Sequence, residues 1–441
     1  MKKRISHLQI IALGYFIMIC LGTMLLMLPI ASKGESATFI ESLFTTTSAT
    51  CVTGLVLRDT ATAWSGFGQA VILVLIQVGG LGFMTMATLF FKLLRKQMGL
   101  REKELIAEGI NTSQVGSILN MSAFILKGTL IFEGTGALLL AVRFIPRFGF
   151  GKGIWYSVFH SVSAFCNAGF DLFGAEFEPY CSLVPFSADA YVNIIIIALI
   201  TIGGLGFFVW EDLLAKKFRA RKWALHTKLV ITTSAILLFG GALIFFFTED
   251  ASDMSTKEHI LTSLFASATA RTAGFNTTDT AAMSEAGVLT SIILMFIGGS
   301  SGSIAGGIKT TTAAVLVLFA LSQVRRQQTN AVFGREIAPE ALKKAVTVFL
   351  FNLILALTGS VIICAIQKDM SLSQILFEVF SAVGTVGMTM GITRDLALVS
   401  KIVLVFLMYC GRVGSVSFAL AMLEKRARPA VSYPREEITI G

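Results

Sequence analysis

The chain has 441 residues and a formal net charge of +9; 54% of its residues are apolar, 14% are charged, and its mean hydropathy is +0.77. This composition excludes an ordinary array of soluble domains and is typical of a chain whose solvent is mostly lipid. The basic balance alone would also suit a nucleic-acid-binding protein, but the positions of the charges, given below, argue against that partner.

Eight long apolar segments follow one another along the chain, and a membrane-spanning helix needs about 20 such residues. They lie at about 8–30, 61–91, 118–142, 190–210, 229–247, 286–323, 345–366 and 396–423. The first segment has the basic start of a signal peptide, but its apolar run is too long for one, so we interpret it as a retained helix. The sequence therefore predicts a polytopic membrane protein with eight spans.

Lysine and arginine gather in alternate connections between these segments. Residues 92–103, 216–228 and 325–344 are rich in them, as is the N-terminus, whereas 171–189 contains none. Because cytoplasmic loops carry the excess of basic residues, we expect a multi-pass protein of the cell membrane with both termini in the cytoplasm. The same rule accounts for the net charge, so we expect membrane lipid and no nucleic acid as a partner.

One short pattern occurs four times, each time at the end of a half-apolar segment of about 13 residues, which is too short to cross a membrane. The copies are "SATCVTGL" (48–55), "SAFCNAGF" (163–170), "ATARTAGF" (268–275) and "SAVGTVGM" (381–388). We expect each segment to enter the membrane and return. Irregular backbone at that depth is tolerated only where protein buries it or where it lines a water-filled path.

The copies divide the chain into repeats at 1–98, 99–228, 229–340 and 341–441. Each repeat is predicted to contain an outer helix, a re-entrant pore helix with its loop, and an inner helix. The predicted fold class is thus an all-α polytopic membrane protein in which four pseudo-symmetric repeats surround a central pore.

The glycine of each loop has a physical role in such a pore. Glycine accepts unusual backbone angles, and it lets four backbones approach one axis. Rings of carbonyl oxygens replace the hydration shell of a monovalent cation, and the pore helices direct their negative ends to the same point. We therefore predict a cation site, formed mainly by backbone near 50–55, 165–170, 270–275 and 383–388. Its residues are Cys51, Val52, Thr53, Gly54, Cys166, Asn167, Ala168, Gly169, Arg271, Thr272, Ala273, Gly274, Gly384, Thr385, Val386 and Gly387.

This order of elements, with the motifs "VTGL", "NAGF", "RTAGF", "TVGMTMG" and a twice-occurring "GGLGF", resembles the Ktr/Trk/HKT superfamily of potassium transporters, most of all the bacterial KtrB-type membrane subunit. The resemblance covers nearly the whole chain. It implies K+ uptake by a homodimer with one pore per protomer, and often Na+ as a co-transported ion or activator. It also implies a cytoplasmic RCK-type ring of regulatory subunits that bind the nucleotide. Plant relatives with Na+ selectivity have serine where this chain has Gly54, which favours K+.

A glycine-rich stretch interrupts the sixth apolar segment. As one helix, 286–323 would be about 57 Å long, nearly twice the thickness of the hydrocarbon layer. Its middle, "GGSSGSIAGG" at 298–307, contains poor helix formers. We predict a loop that lies across the pore below the filter and gates it, although a packed structural break is the alternative. The candidate gate residues are Gly298, Gly299, Gly302, Gly306, Gly307, Lys309 and Arg412.

The other inner segments have shorter glycine motifs at 79–83, 203–207 and 411–415, which simple kinks or close packing would explain. Arg271 would repel a cation if its side chain faced the pore, so we expect it to pair with Glu378. Lys127 and Glu133 lie within the third span on different faces of a helix, and they have either structural partners or a role in an ion path.

Three other interpretations fit the sequence less well. "GSIAGGIKT" lacks the spacing and the preceding strand of a phosphate loop. A membrane enzyme would need clustered catalytic groups, but the four histidines are scattered, so we predict no enzyme and no covalent cofactor. Two inverted repeats around a midplane site would suit a carrier, which four parallel repeats argue against. A less selective Na+/K+ transporter of the same family remains the main alternative.

Overall fold

The computed structural model describes residues 7–82, 118–217, 219–250, 252, 254–326 and 330–414. In this part of the chain the structure is helical apart from one antiparallel hairpin, formed by β1 (Ala331–Val332) and β2 (Arg335–Glu336). The predicted all-α class is confirmed. The basic loop at 92–103, the boundary at 98/99, the end of the eighth apolar segment from 415 and the cytoplasmic C-terminal tail expected at 424–441 lie outside the described residues.

The helices repeat the order of outer helix, pore helix and inner helix four times. The first repeat has α1 (His7–Leu26), α2 (Phe39–Cys51), α3 (Thr60–Ala63) and α4 (Gly66–Leu81). The second repeat has α5 (Ile118–Phe148), α6 (Phe150–Phe165), α7 (Ala190–Leu205) and α8 (Phe207–Ala215), and the third has α9 (Leu225–Thr248), α10 (Thr256–Thr269), α11 (Glu285–Phe296) and α12 (Thr310–Val324). The fourth repeat has α13 (Pro339–Ile366), α14 (Leu372–Gly384) and α15 (Leu398–Val413). Short 3-10 turns lie at Pro29–Ala31, Phe173–Ala175, Val184–Phe186, Ala220–Lys222, Thr280–Ala282 and Ile392–Arg394.

The outer helices α1, α5, α9 and α13 are long and apolar enough to cross a membrane. Large apolar side chains on them face outward: Leu138 is 74% exposed and Phe247 is 76% exposed. Water would make such a surface an aggregation risk, whereas lipid solvates it. The exposure therefore identifies the lipid-facing side of the molecule.

The pore helices α2, α6, α10 and α14 lie where the half-apolar segments predict them. Two begin with a capping box, in which Thr38 and Glu41, and likewise Ser371 and Gln374, satisfy each other's free backbone groups. Residues 44–51 of α2 are all buried, although many are threonine or serine. A short helix whose polar C-terminal half is buried fits the expected re-entrant element.

The inner segments are interrupted, which the sequence predicts only for the third of them. Helices α7 and α8 meet at an angle of 92°. If this bent pair is counted as one span, five spans can be recognised by length and composition among the described residues. Residues 297–309 separate α11 from α12. Helices α4, α7 and α15 end at Gly82, Gly206 and Gly414, with φ angles of 82°, 95° and 91°. Glycine reaches this left-handed region at little cost, so each motif ends a helix rather than kinking it.

Candidate ion pathway

The four glycine loops meet in a closed ring. Each glycine packs against the carbonyl oxygen that precedes the glycine of the next loop, so closely that an added methyl group would collide with it. The distance from an ideal Cβ to that oxygen is 2.6 Å for Gly54 and Ala168, 2.7 Å for Gly169 and Ala273, 2.5 Å for Gly274 and Val386, and 2.0 Å for Gly387 and Thr53. The loops therefore follow one another in repeat order, with the first opposite the third and the second opposite the fourth.

All four loops share the same pattern of positive φ angles. The residue two before each glycine has a positive φ angle, as does the glycine itself. These residues are Val52, Asn167, Thr272 and Thr385, with φ angles of 58°, 58°, 80° and 51°. Three of these residues are β-branched and strained in this region, and strain that recurs in three of four repeats marks a functional constraint. The candidate ligands Cys51, Cys166, Arg271 and Gly384 lie just before these residues, at the C-terminal ends of the pore helices.

Hydroxyl groups of the pore helices hold the loops from behind. Ser48 and Ser381 accept hydrogen bonds from the backbone N–H of Gly54 (2.9 Å) and Gly387 (3.1 Å). In the other two repeats, Ser163 and Thr269 donate to Phe170 O and Phe275 O, both at 2.7 Å. This role of the hydroxyl groups was not among the predictions from the sequence. Its signal is a serine six residues before the glycine in three of the four repeats.

The predicted pair of Arg271 and Glu378 is not formed. Glu378 accepts hydrogen bonds from the hydroxyls of Thr389 and Thr393 (3.0 Å for Thr393). Arg271 is buried and has no carboxylate within salt-bridge distance among the residues that the structure describes; its Nε is without a hydrogen-bond partner there. The guanidinium lines a small pocket with Thr201 and Gly299, close to the C-terminal end of α10, whose partial negative charge favours a cation.

Glu133 and Lys127 have different surroundings, as their spacing predicted. Glu133 is buried and accepts from Gln77 Nε2 at 3.1 Å, and Cys166 Sγ lies 3.7 Å from its other carboxylate oxygen. It thus joins the outer helix α5 to α4 and to the end of the second pore helix. Lys127 is exposed on another face of α5. The contacts of Glu133 are those of a structural partner.

Segment 297–309, which we call the crossing loop, lies against the inner side of the ring, where the pore helices end. A Cβ on Gly306 would lie 1.9 Å from Thr385 Oγ1, and one on Gly307 would lie 3.2 Å from Gly384 O. Ile304 and Ala305, between the two glycine pairs, are buried. The crossing loop therefore lies directly below the fourth glycine loop.

Arg412 joins the crossing loop to the first repeat. Its guanidinium donates to Ile304 O in the loop and to the carbonyls of Gly79 and Gly80 in α4 (2.9 Å for Gly80). Lys309 turns back to donate to Ala305 O at 2.5 Å. Both cations predicted for the gate thus bind backbone carbonyls of, or beside, the crossing loop.

The other edge of the crossing loop is attached to the bend in the second repeat. Ser300 N donates to Gly204 O at 3.0 Å, and Phe207 N donates to Gly302 O at 2.8 Å. A Cβ on Gly206, at the bend, would lie 2.8 Å from Ser301 O. The loop is therefore held on both sides.

The remaining glycine motifs pack closely on the pore helices. A Cβ on Gly79, Gly203 or Gly411 would lie 2.0, 2.0 or 2.3 Å from a carbonyl oxygen near the end of the pore helix in its own repeat. Close packing, one of the two explanations offered by the sequence, accounts for these glycines. It also explains why the inner helices reach the axis at the level where the ring begins.

Within the described ranges, no group of three or more His, Cys, Asp and Glu side chains is arranged to hold a metal ion. The polar atoms that the four ring glycines meet most closely are backbone carbonyl oxygens instead. That arrangement suits a transient monovalent cation better than a resident transition metal.

Comparison with known proteins agrees with this geometry. Residues 7–429 match the family model TrkH, described as a cation transport protein. The chain is 42% identical to the potassium/sodium uptake protein NtpJ of Enterococcus hirae, over 100% of this chain and 98% of the relative. It is 36% identical to the Ktr system potassium uptake protein B of Bacillus subtilis, over 99% and 97% of the two chains.

A solved structure shows the same fold. The crystal structure of the potassium transporter TrkH from Vibrio parahaemolyticus aligns with a TM-score of 0.76 at 17% identity, covering 96% of this chain and 86% of the other. The proteins that match are transporters, which confirms the prediction that the chain is not an enzyme. From the family match over nearly its whole length, this chain belongs to the TrkH family of cation transport proteins, the Ktr/Trk group that its glycine loops resemble.

Proposed function

We propose that this chain is the potassium-translocating membrane subunit of a Ktr-type uptake system. The observation that carries the proposal is the closed ring of four glycine loops, in which each glycine packs on a carbonyl of the next loop. The names of the relatives supply the ion, since two of the most similar are called potassium uptake or potassium/sodium uptake proteins.

The cation is coordinated by backbone carbonyls of the predicted filter residues. Repeated positive φ angles at two positions in each loop turn neighbouring carbonyls away from their usual alternation. Carbonyl oxygens around an axis replace water around K+, and four pore-helix ends add negative potential there. No carboxylate is needed, which distinguishes this site from a calcium site.

The crossing loop is the gate in this proposal, and its observed position is the closed one. Arg412 holds Ile304 O and the carbonyls of α4 together, and its charge lies on the route of a cation that leaves the ring. Opening requires these hydrogen bonds to break. The glycines of the loop, Gly298, Gly299, Gly302, Gly306 and Gly307, give it the freedom to move once they do.

The assembly is a homodimer with one pore per protomer, beneath which a cytoplasmic RCK-type ring binds the nucleotide. Segment 216–228 supplies basic residues for contact with that ring, and both termini lie on the same cytoplasmic side. The name Ktr system, which some relatives carry, supports a multi-subunit assembly. Na+ acts as a co-transported ion or as an activator.

A second candidate is a less selective Na+/K+ transporter, which the name of the 42% identical relative favours. Flux of radioactive Rb+ into liposomes that contain the full chain, with K+ and Na+ varied independently, separates the two. Equal competition by both ions would favour the second candidate. Gly54→Ser should lower the flux and shift the preference that remains toward Na+, since a Cβ there meets Ala168 O at 2.6 Å.

Rescue of a potassium-uptake-deficient bacterium in low K+ tests the proposal as a whole. The parent chain should restore growth, whereas Gly274→Asp should not, because its side chain would enter the ring. A parent chain that reaches the membrane as a dimer but restores neither growth nor Rb+ flux would contradict the proposed function.

A further inference from the structure

One position of the pore helices, nine residues before the glycine of each loop, has a chemically different residue in every repeat. The four residues there are Thr45, His160, Phe265 and Glu378. All four are buried. Among the described residues, only His160 and Glu378 form hydrogen bonds from this position with the segment that leaves the ring on its outer side, the side away from the crossing loop.

Glu378 holds the outer side of the fourth loop. Its carboxylate accepts from Thr389 Oγ1 and from Thr393 Oγ1, the latter at 3.0 Å. Thr389 lies two residues after Gly387, and its hydroxyl also accepts from Gly391 N at 2.9 Å. The carboxylate is 1% exposed, so both oxygens are used within the protein. The path of the chain after Gly387 is therefore set from the pore helix.

His160 does the same for the second loop. Its Nδ1 lies 2.7 Å from Tyr156 O, which can only accept, so Nδ1 carries the proton and Nε2 is the acceptor. That acceptor receives Leu172 N at 3.3 Å, three residues after Gly169. The ring stacks on Phe173 with centroids 4.2 Å apart, which fixes its orientation.

The first and third repeats lack such a contact. Thr45 Oγ1 is buried without a hydrogen-bond partner among the described residues, and Phe265 has no polar atom in its side chain. Because Gly169 and Gly387 are opposite each other in the ring, the two holding contacts lie across the axis from each other. The outer sides of the first and third loops are held from the second repeat instead, where Tyr180 OH donates to Leu57 O at 3.2 Å and Leu183 N donates to Asn276 O at 2.9 Å. Contacts from this position of the pore helix therefore lie along one diagonal of the ring, and the other diagonal is held by different residues.

We propose that His160 and Glu378 are positioning residues that set the specificity of the ring for K+ over Na+. They touch no ion; they keep the outer ends of two opposite loops from closing around a smaller cation. When a loop can follow the ion inward, its carbonyls solvate Na+ as well as K+, and discrimination falls. The inference rests on the proposed K+ function and adds the residues that control its selectivity.

The residues at the equivalent position of the four pore helices suggest which variants to make. Glu378→Gln keeps the shape of the side chain but removes one of the two acceptors. His160→Phe removes both hydrogen bonds and should fold, because Phe265 occupies the equivalent position in the third repeat. His160→Gln retains an acceptor for Leu172 N and should restore part of the parent behaviour. Thr45→Val is the matched control, since it removes a hydroxyl that has no partner.

The measurement is inhibition of Rb+ flux by K+ and by Na+, in liposomes with the full-length chain. We expect Glu378→Gln and His160→Phe each to lower the Na+/K+ ratio of half-inhibiting concentrations about five- to ten-fold, the scale of one lost hydrogen bond to a strong acceptor. Thr45→Val should keep the parent ratio. Thr393→Val, which removes a donor to Glu378 without altering the carboxylate, should lower it as well.

Several outcomes overturn the proposal. If Glu378→Gln weakens inhibition by both ions equally, the carboxylate acts by its charge and not by position. If Thr45→Val lowers the ratio as much as His160→Phe does, the effect belongs to any change in a pore helix. A selective parent whose variants stay selective refutes this inference alone, whereas a parent without Rb+ flux refutes the proposed function. Should Glu378→Gln fail to assemble, Thr393→Val and His160→Phe still decide the matter.

Discussion

The ring of glycine loops is held by backbone packed on backbone, whereas the crossing loop beside it is held by hydrogen bonds from two other repeats. In the ring, the same contact occurs four times and leaves no room for a methyl group. In the crossing loop, each contact occurs once: Arg412 on one side, and Gly204 with Phe207 on the other. A site that must discriminate ions needs fixed geometry, and a gate needs contacts that can open.

The largest effect should follow from filling the ring. Gly387→Ala places a Cβ 2.0 Å from Thr53 O at a φ angle of 92°. The backbone of the first loop cannot move away, because it is packed against the other loops of the ring. We expect Rb+ flux to fall more than about 100-fold, in line with a severe local strain. Gly240→Ala, in outer helix α9 with open space around it, is the control and should conduct normally. Normal flux in Gly387→Ala would show that the ring is not the ion path.

The next effect should come from the crossing loop. Arg412→Gln removes a charged donor to Ile304 O, Gly79 O and Gly80 O. Hydrogen bonds to a charged group are worth about 1.5–3 kcal/mol, so the closed state should lose stability and basal flux should rise about ten-fold or more. The rise should also make flux less dependent on the regulatory partner. If the Arg412→Gln variant folds, dimerises and conducts like the parent, the crossing loop is not the gate.

A smaller effect should come from the other edge of the crossing loop. Gly206→Ala places a Cβ 2.8 Å from Ser301 O in a left-handed residue, which disturbs the junction of α7 and α8 with the loop. Gly204→Ala, two residues earlier, meets only Asn167 Nδ2 at 3.6 Å, an ordinary contact. We expect a several-fold change in flux for Gly206→Ala and none for Gly204→Ala, with unchanged K+/Na+ preference in both. If Gly206→Ala lost the preference for K+ over Na+, the glycine ring and the crossing loop would not act independently.

The sequence predicted the ring better than its surroundings, for a physical reason. Four copies of a local pattern report a local backbone conformation, and the pore helices and glycines lie where the pattern places them. The pairing of Arg271 with Glu378 was wrong because sequence distance does not reveal which way a buried side chain points. Glu378 is satisfied by two threonines that follow in its own repeat, at a spacing no periodic pattern marks.

The sequence also did not predict where the inner helices of the first, second and fourth repeats end. Hydropathy shows that a segment is apolar, not whether it is straight, and the 92° bend between α7 and α8 lies within an apolar run. The glycines just before these helix ends, Gly79, Gly203 and Gly411, are explained by contacts with the pore helix of their own repeat. The crossing loop was predictable because its length exceeded one span, whereas its anchors at Gly204 and Phe207 were not.

The smallest effect should come from an exposed contact on the outer side of the second repeat. Lys152 Nζ lies 2.7 Å from Glu176 Oε1, which also accepts from Tyr156 OH at 2.9 Å, and together they tie α6 to the turn after the second loop. The Lys152 ammonium holds the pKa of the Glu176 carboxyl below its ordinary value. This contribution to stability is therefore complete above the ordinary carboxyl pKa and is lost as pH falls through the lowered one. Because the pair is largely solvated, Lys152→Met should cost about 0.5 kcal/mol at neutral pH.

The measurement for this last pair is unfolding of the detergent-solubilised chain at neutral and acidic pH, together with Rb+ flux. The difference between parent and Lys152→Met should shrink as pH falls, because protonated Glu176 no longer attracts the ammonium. Flux and K+/Na+ preference should stay as in the parent, since the ring is held by its own backbone contacts and by His160. If Lys152→Met lowered ion preference, the ring would depend on its exposed surroundings, and its contrast with the crossing loop would be weaker than the packing of its glycines indicates.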